Sequence, residues 1–167
     1  MSSEVAHVRT DKRIMDRETL VRMVNIWKFK DDRIVFTNGC FDLLHRGHVQ
    51  YLQEAASWGD RLIVGVNSDT SVMRQGKGPG RPVNDQHSRL LVLAALRCVD
   101  AVTLFEEDTP LDLVRSLRPD ILVKGGDWPV EKIVGADLVR SYGGEVRSIP
   151  LVEGYSSTAM IGRIRNV

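Results

Sequence analysis

The chain has 167 residues, 43% of them hydrophobic, with 23 Lys and Arg against 22 Asp and Glu for a formal net charge of +1. That length suits one domain with a sizeable core, and the near-even charge argues against general nucleic-acid binding. The longest apolar run, Leu90 to Leu96, is far too short to cross a bilayer, the N-terminus has no apolar signal region, and two distant cysteines, Cys40 and Cys98, read as reduced thiols of a cytoplasmic protein.

Residues 1–13 are small, polar and charged without a period, and are expected to fray. Over 16–29, Leu20, Met23, Val24 and Trp27 recur at helical spacing. Residues 1–30 are therefore read as an N-terminal extension with an accessory helix, and 31–167 as the main domain. From there strands and helices alternate. Arg33–Thr37 is a strand, Gly47–Ser57 a helix and Arg61–Val66 a strand. Residues 74–84 carry Gly76, Gly78, Gly80, Pro79 and Pro82 and cannot be regular structure. Asp85–Arg97 reads as a helix and Ala101–Phe105 as a strand. Pro110–Leu117 is a helix with proline in its first turn. Ile121–Lys124 is a strand stopping at Gly125-Gly126, Val130–Ser141 a helix, Glu145–Ile149 a strand and Ser157–Arg165 a closing helix. Five mostly apolar strands separated by helices predict an α/β fold, a doubly wound five-stranded parallel sheet of Rossmann-like type. Ligands bind beyond the carboxyl ends of such strands. The distinctive segments 37–48, 67–84, 124–128 and 151–158 all lie there.

The most informative of these is Thr37-Asn38-Gly39-Cys40-Phe41-Asp42-Leu43-Leu44-His45-Arg46-Gly47-His48. It puts His45 and His48 where a strand hands over to a helix, with Gly47 between them. A helix start offers unpaired N–H groups and positive potential, and imidazoles add donors, which together suit phosphate oxygens. Zinc is the competing reading of such a pair, but no third ligand cluster stands nearby. Lys77 and Arg81, in the 74–84 loop, could close over a polyphosphate or simply be solvated. Arg89 and Arg97, eight residues apart on the expected helix, suit phosphate recognition, against ordinary solvent-facing charge. At Lys124-Gly125-Gly126-Asp127-Trp128, glycines let backbone approach a ligand and Asp127 can accept from a ribose hydroxyl or cap the turn. Ser156, Ser157 and Thr158 offer three hydroxyls where one N-cap would suffice. There is no Gly-x-Gly-x-x-Gly after the first strand, no Gly-x-x-x-x-Gly-Lys-Ser/Thr, and no legible Ser-His-Asp or Cys-His arrangement. Cys40 reads as a packing residue with a backbone role.

Gly39 to His48 closely resembles the signature of the cytidylyltransferase-like nucleotidyltransferases, and Tyr155-Ser156-Ser157-Thr158 resembles that superfamily's C-terminal signature. Lys77-Gly78, Arg81-Pro82, Arg89 to Leu96, Val99-Asp100, Lys124 to Trp128, Ile133 to Ala136 and Gly143 to Val146 look like the heptose-phosphate adenylyltransferase branch. The resemblance spans about residues 14–165. It implies adenylyl transfer from ATP to D-glycero-β-D-manno-heptose 1-phosphate in lipopolysaccharide precursor synthesis. His45, His48 and Lys77 would be catalytic. Gly39, Cys40, Phe41, Gly47, Arg89, Arg97, Gly125, Asp127, Ser156, Ser157 and Thr158 would bind nucleotide, and Arg81 the substrate phosphate. Mg²⁺ would be held mainly by phosphates and water, with no protein side chain as ligand. The expected partners are small molecules only, with neither nucleic acid nor membrane, and a homo-oligomer, a dimer or higher, is expected. Because only a short helical extension precedes the domain, the sugar kinase fused to many relatives is expected to be a separate protein. Glycerol-phosphate relatives carry an arginine before the second signature, where this chain has Leu151-Val152-Glu153-Gly154. That weighs against the nearest alternative, a CTP-dependent cytidylyltransferase for a polyol or sugar phosphate. A non-catalytic nucleotide-binding module and a redox Rossmann module are the readings of other classes.

Overall fold

The computed structural model describes residues 10–165 except 77, 127, 151 and 153. Five strands, β1 (Ile34–Gly39), β2 (Arg61–Asn67), β3 (Ala101–Phe105), β4 (Ile121–Gly125) and β5 (Glu145–Ile149), pair in parallel in the order β3-β2-β1-β4-β5. Helices α1 (Arg17–Phe29), α2 (Arg46–Ala56), α3 (Asp69–Arg74), α4 (Gln86–Ala94), α5 (Leu111–Leu117), α6 (Ala136–Ser141) and α7 (Ser157–Arg165) connect and cover them.

The inner strands are mostly apolar because both faces are covered, while the edge strand β5, with Glu145, Arg147 and Ser148, is largely half-buried. Side chains alternate between the faces with the period of two that a strand imposes. Val35, Leu62, Val64, Val102, Ile121 and Val123 pack with Tyr51, Leu52 and Ala55 of α2 and Leu90 and Leu93 of α4. Ile34, Phe36, Ile63, Ala101 and Leu122 pack on the other side with α5, α6 and α1. The helix set apart in the sequence as an extension thus puts Leu20 and Val24 into the core. Each aliphatic side chain so buried contributes about 2 kcal/mol.

Three local expectations are corrected, and one helix appears that the sequence reading did not assign. Residues 10–13 are ordered rather than frayed. They form a 3₁₀ turn, after which Ile14 bridges to Val102 and the Met15 N–H donates to the Val102 carbonyl (3.0 Å). The fourth helix stops at Ala94 instead of running to Arg97. Arg13 secures the stop: its guanidinium donates to the carbonyl of Ala94, which the helix end leaves without a helical partner, and to those of Leu96 and Val99 in the turn beyond. A short helix, α3, occupies 69–74, capped by the Ser68 hydroxyl, which accepts from the Ser71 N–H (3.1 Å). The helix expected over 130–141 is broken into a 3₁₀ turn (Val130–Lys132) and α6, because Ile133 is extended and Gly135 takes a left-handed φ of 90°.

From β1 the chain winds outward to β2 and β3 on one side and to β4 and β5 on the other. The carboxyl ends of β1 and β4 therefore flank a topological switch point, the place where such sheets open a crevice.

Candidate active site

That crevice holds a cavity of about 430 Å³, floored by Asn38 and Gly39 of β1 and by Lys124 and Gly125 of β4. Beyond β1 the chain turns sharply at Phe41, whose φ of 47° is left-handed, a strained conformation that clusters at functional sites. It then enters α2 with His45 as the N-cap residue. Both histidines line the cavity. Their rings stack with centroids 3.8 Å apart and planes 24° from parallel, and Phe41 leans on His48. Gly47 permits this arrangement: a Cβ there would lie 3.1 Å from His45 Nδ1 and 3.3 Å from Tyr155 Cβ. Burial, reinforced by the neighbouring His45, pulls the His48 pKa down to about 4, and burial lowers that of His45. Both imidazoles are therefore neutral at pH 7. The Nδ1 atoms of both are buried with no hydrogen-bond partner among the described residues. Two neutral imidazoles beside the start of an eleven-residue helix make a positive-leaning corner for an anion.

The start of α7 forms the facing wall, and its three hydroxyls divide the work. Ser156 caps the helix, accepting from the Ala159 N–H (3.0 Å). Ser157 donates to the Leu43 carbonyl (3.1 Å), tying this wall to the histidine loop. Thr158 lines the cavity beside them, as do Tyr155 and Val152. Beneath the floor, Tyr51 bonds the Thr37 hydroxyl and donates to the Val123 carbonyl (3.4 Å), fastening β1 to β4. Segments more than a hundred residues apart thus meet in one space, as the two sequence signatures require.

The cationic side chains depart from expectation. Arg81 reaches the cavity, but its Nε lies 2.6 Å from Oδ2 of Asp42. Asp42 is a buried carboxylate that the sequence reading left without a role. Its Oδ1 also accepts from the N–H groups of Val83 (2.8 Å) and Asn84 (3.0 Å). Arg89 and Arg97 line neither this cavity nor the second one, so the structure does not bring them to the site. The Arg89 side chain is 0% exposed and donates to the carbonyls of Asn84 (3.1 Å) and Cys40 (2.6 Å) and to Asp69 Oδ1 (2.7 Å). Arg97 lies exposed beyond the end of α4. Lys77 and Asp127 fall outside the described residues.

Cys40 and Gly39 also border a second cavity of about 330 Å³, which spans the ends of β2, β1 and β4. Asn67, Gln75, Asp108, Trp128 and Lys132 line it, together with Asn38 and Lys124 from the shared floor. Gly126 (φ 112°) lets Trp128 fold over the end of β4. A Cβ there would stand 3.0 Å from the indole Cδ1 and Nε1. Trp128 stays half-exposed, presenting an aromatic face amid amides, lysines and a carboxylate. The sequence had linked Lys124 with Trp128 in one motif but had not joined them to Asp108 or Lys132. Among the described residues, no three His, Cys, Asp or Glu side chains could jointly hold a metal ion, and no helix is long and apolar enough to cross a membrane.

The chain is 57% identical over 152 residues to the bifunctional protein HldE of Mesorhizobium japonicum, an alignment covering 91% of this chain and 30% of that protein. It is 54% identical over 158 residues to the HldE of Trichlorobacter lovleyi, covering 95% and 32%. It thus spans about a third of the length of the curated relatives it matches. Among solved structures it resembles the lipopolysaccharide core biosynthesis protein of Thermoplasma volcanium, with 32% identity, a TM-score of 0.59, and coverage of 75% of this chain and 99% of the other. Pantoate-beta-alanine ligase of Francisella tularensis, 17% identical with a TM-score of 0.58, shares the fold. The cytidylyltransferase-like model matches residues 36–163, from β1 through the histidine corner to the hydroxyl wall, and the chain belongs to this family of nucleotidyltransferases.

Proposed function

We propose that the protein transfers the adenylyl group of ATP to D-glycero-β-D-manno-heptose 1-phosphate, releasing pyrophosphate and forming ADP-heptose for the lipopolysaccharide inner core. One observation carries this: the stacked histidine pair and the hydroxyl wall of α7 face each other across a single cavity, adjoining a second cavity over the end of the same strand. Half or more of the sequence is shared with HldE proteins over nearly the whole chain, which supports the heptose substrate.

In this reading the nucleotide lies in the first cavity against Gly39, Cys40, Phe41, Gly47 and Gly125, its phosphates between His45, His48, Ser157 and Thr158, with Arg81 at the rim. The sugar phosphate occupies the second cavity, where Lys124 and Lys132 suit its charge and Trp128 its ring faces. A phosphate oxygen of the sugar attacks the α-phosphorus of ATP in line. A new P–O bond forms, the bond to the β-phosphate breaks, and the electron pair leaves with pyrophosphate. The nucleophile is already anionic at neutral pH, so no general base is needed, and catalysis is positioning and charge stabilisation. The histidines act as neutral hydrogen-bond donors toward phosphate oxygens. Their depressed pKa values rise when the anion arrives, since nearby negative charge favours the imidazolium. The cavity's one described carboxylate, Asp42, is spent on Arg81 and two backbone N–H groups. A magnesium ion accompanying ATP fits as one held by phosphates and water, neutralising their charge. ATP and sugar phosphates place the enzyme in the cytoplasm, and a homo-oligomer belongs to the same reading.

The test supplies heptose 1-phosphate with ATP, CTP, GTP or UTP, follows pyrophosphate release and identifies the product by mass. ADP-heptose formed from ATP in clear preference supports the proposal. Product from CTP alone assigns a cytidylyltransferase, and nucleotide binding without product a non-catalytic module.

A further inference from the structure

Two oppositely charged side chains are buried behind the histidine loop, and neither faces solvent. Asp42 is 2% exposed and Arg89 2%. Both hold the same residue. Asn84 donates its N–H to Asp42 Oδ1 and its side-chain amide to the Asp42 carbonyl (2.7 Å), while its own carbonyl accepts from Arg89. Arg89 then reaches the Cys40 carbonyl on one side and Asp69 on the other. Asp42 also fixes Arg81 and the Val83 N–H. Loop 40–42, loop 81–84 and the start of α3 are therefore joined through two side chains, of which Asp42 lines the first cavity and Arg89 lines neither.

Burying a guanidinium and a carboxylate is costly, and the cost is offset only when the geometry is well satisfied. A stable loop would not require it, because an apolar pair would fill the same volume. A guanidinium has the fork needed to hold a carbonyl, a second carbonyl and a carboxylate in fixed directions, which a lysine lacks.

We propose that Arg89 and Asp42 are positioning residues: acting through Asn84 and the Cys40 carbonyl, they lock segment 81–84 onto the loop entering α2 and set where Arg81 and the two histidines stand. The role is distinct from phosphate binding by Arg89 itself. It rests on the transferase reading for its kinetic arm only.

The test compares Arg89→Lys, Arg89→Met and Asp42→Asn with the parent, all in a Cys98→Ser background, measuring melting temperature, kcat, the KM for ATP and the rate at which a thiol reagent labels Cys40. The expected result is a fall in kcat of at least tenfold in every folded variant assayed well below its melting temperature. Arg89→Lys should recover most of the melting temperature lost in Arg89→Met but little of the kcat. Cys40, buried in the parent, should label several-fold faster in all three. If Arg89→Met does not fold, Arg89→Lys and Asp42→Asn decide. Variants that turn over and label like the parent overturn the proposal, as does Arg89→Lys regaining kcat in step with melting temperature, since that marks a purely structural role. If the parent itself shows no turnover, the transferase reading has failed separately, and the labelling rate alone decides: faster labelling keeps the clamp and unchanged labelling removes it.

Discussion

The two cavities over the end of β1 are built differently. The first takes its chemistry from two compact stretches, 45–48 and 156–158, each carrying several of its polar groups within one helical turn. The second takes single residues from many places: Asn38 from β1, Asn67 from β2, Asp108 from the segment after β3, Lys124 from β4, and Trp128 and Lys132 beyond it. A site that grips a triphosphate tail needs donors packed closely around one run of charge, which a helix start supplies locally. A site that reads one sugar among many needs groups spread around a ring, which only the assembled sheet can place.

The sharpest way to break this contrast is to remove a donor from the first cavity. His48→Ala should lower turnover about a hundredfold, equivalent to ~3 kcal/mol of lost stabilisation, with modest change in ATP affinity. Steady-state kinetics with both substrates measures it, and an unchanged kcat would remove the histidine from the chemistry. Trp128→Ala should do the opposite, raising the KM for the sugar phosphate about tenfold, some 1.4 kcal/mol, while leaving the KM for ATP within twofold. A rise in the ATP constant instead would mean that the two cavities are not divided as proposed.

The pH response sharpens the account of the first cavity. His48 titrates near 4 in the folded protein against 6.5 for an ordinary imidazole. Between those values the unfolded chain holds a proton that the native one refuses. The histidine's contribution to stability is therefore full above about pH 6.5 and falls as the pH drops toward 4. Thermal melts at pH 7 and pH 5 should show this loss, and a His48→Asn variant should show less of it. ATP should bind with proton uptake at pH 6, read by calorimetry in buffers of different ionisation heat; binding with no proton exchange would contradict an anion seated on the pair. The smallest effect belongs to Ser156→Ala, which removes only the cap of α7 and should cost about 1 kcal/mol of stability.

The same difference decided what could be read from the sequence. The sheet, its strand count and the first cavity's two walls were legible because apolar runs, glycine breaks and the His-x-x-His spacing are local signals. Arg89 was misplaced because spacing along a helix tells which residues share a face but not which way that face turns. Here α4 turns it inward, toward Cys40 and Asp69. Asp42 sat inside the recognised motif, yet its role depends on Val83, Asn84 and Arg81, some forty residues away. The end of α4 was overrun because the turn that follows it is held by Arg13 on the carbonyls of Ala94, Leu96 and Val99, a long-range contact with no sequence signature. The second cavity was not legible as one site because its walls come from separate segments: Asn38 and Cys40 from one motif, Lys124 and Trp128 from another, and Asn67, Gln75, Asp108 and Lys132 from places with no shared signal.

The most direct test of the shared cradle is a structure of the full chain with a non-hydrolysable ATP analogue. The account predicts phosphate oxygens within hydrogen-bond distance of the His45 or His48 imidazoles and of the hydroxyls at the start of α7, in the same nucleotide. A triphosphate lodged instead beside Trp128 and Lys132, with the histidine corner untouched, would contradict it.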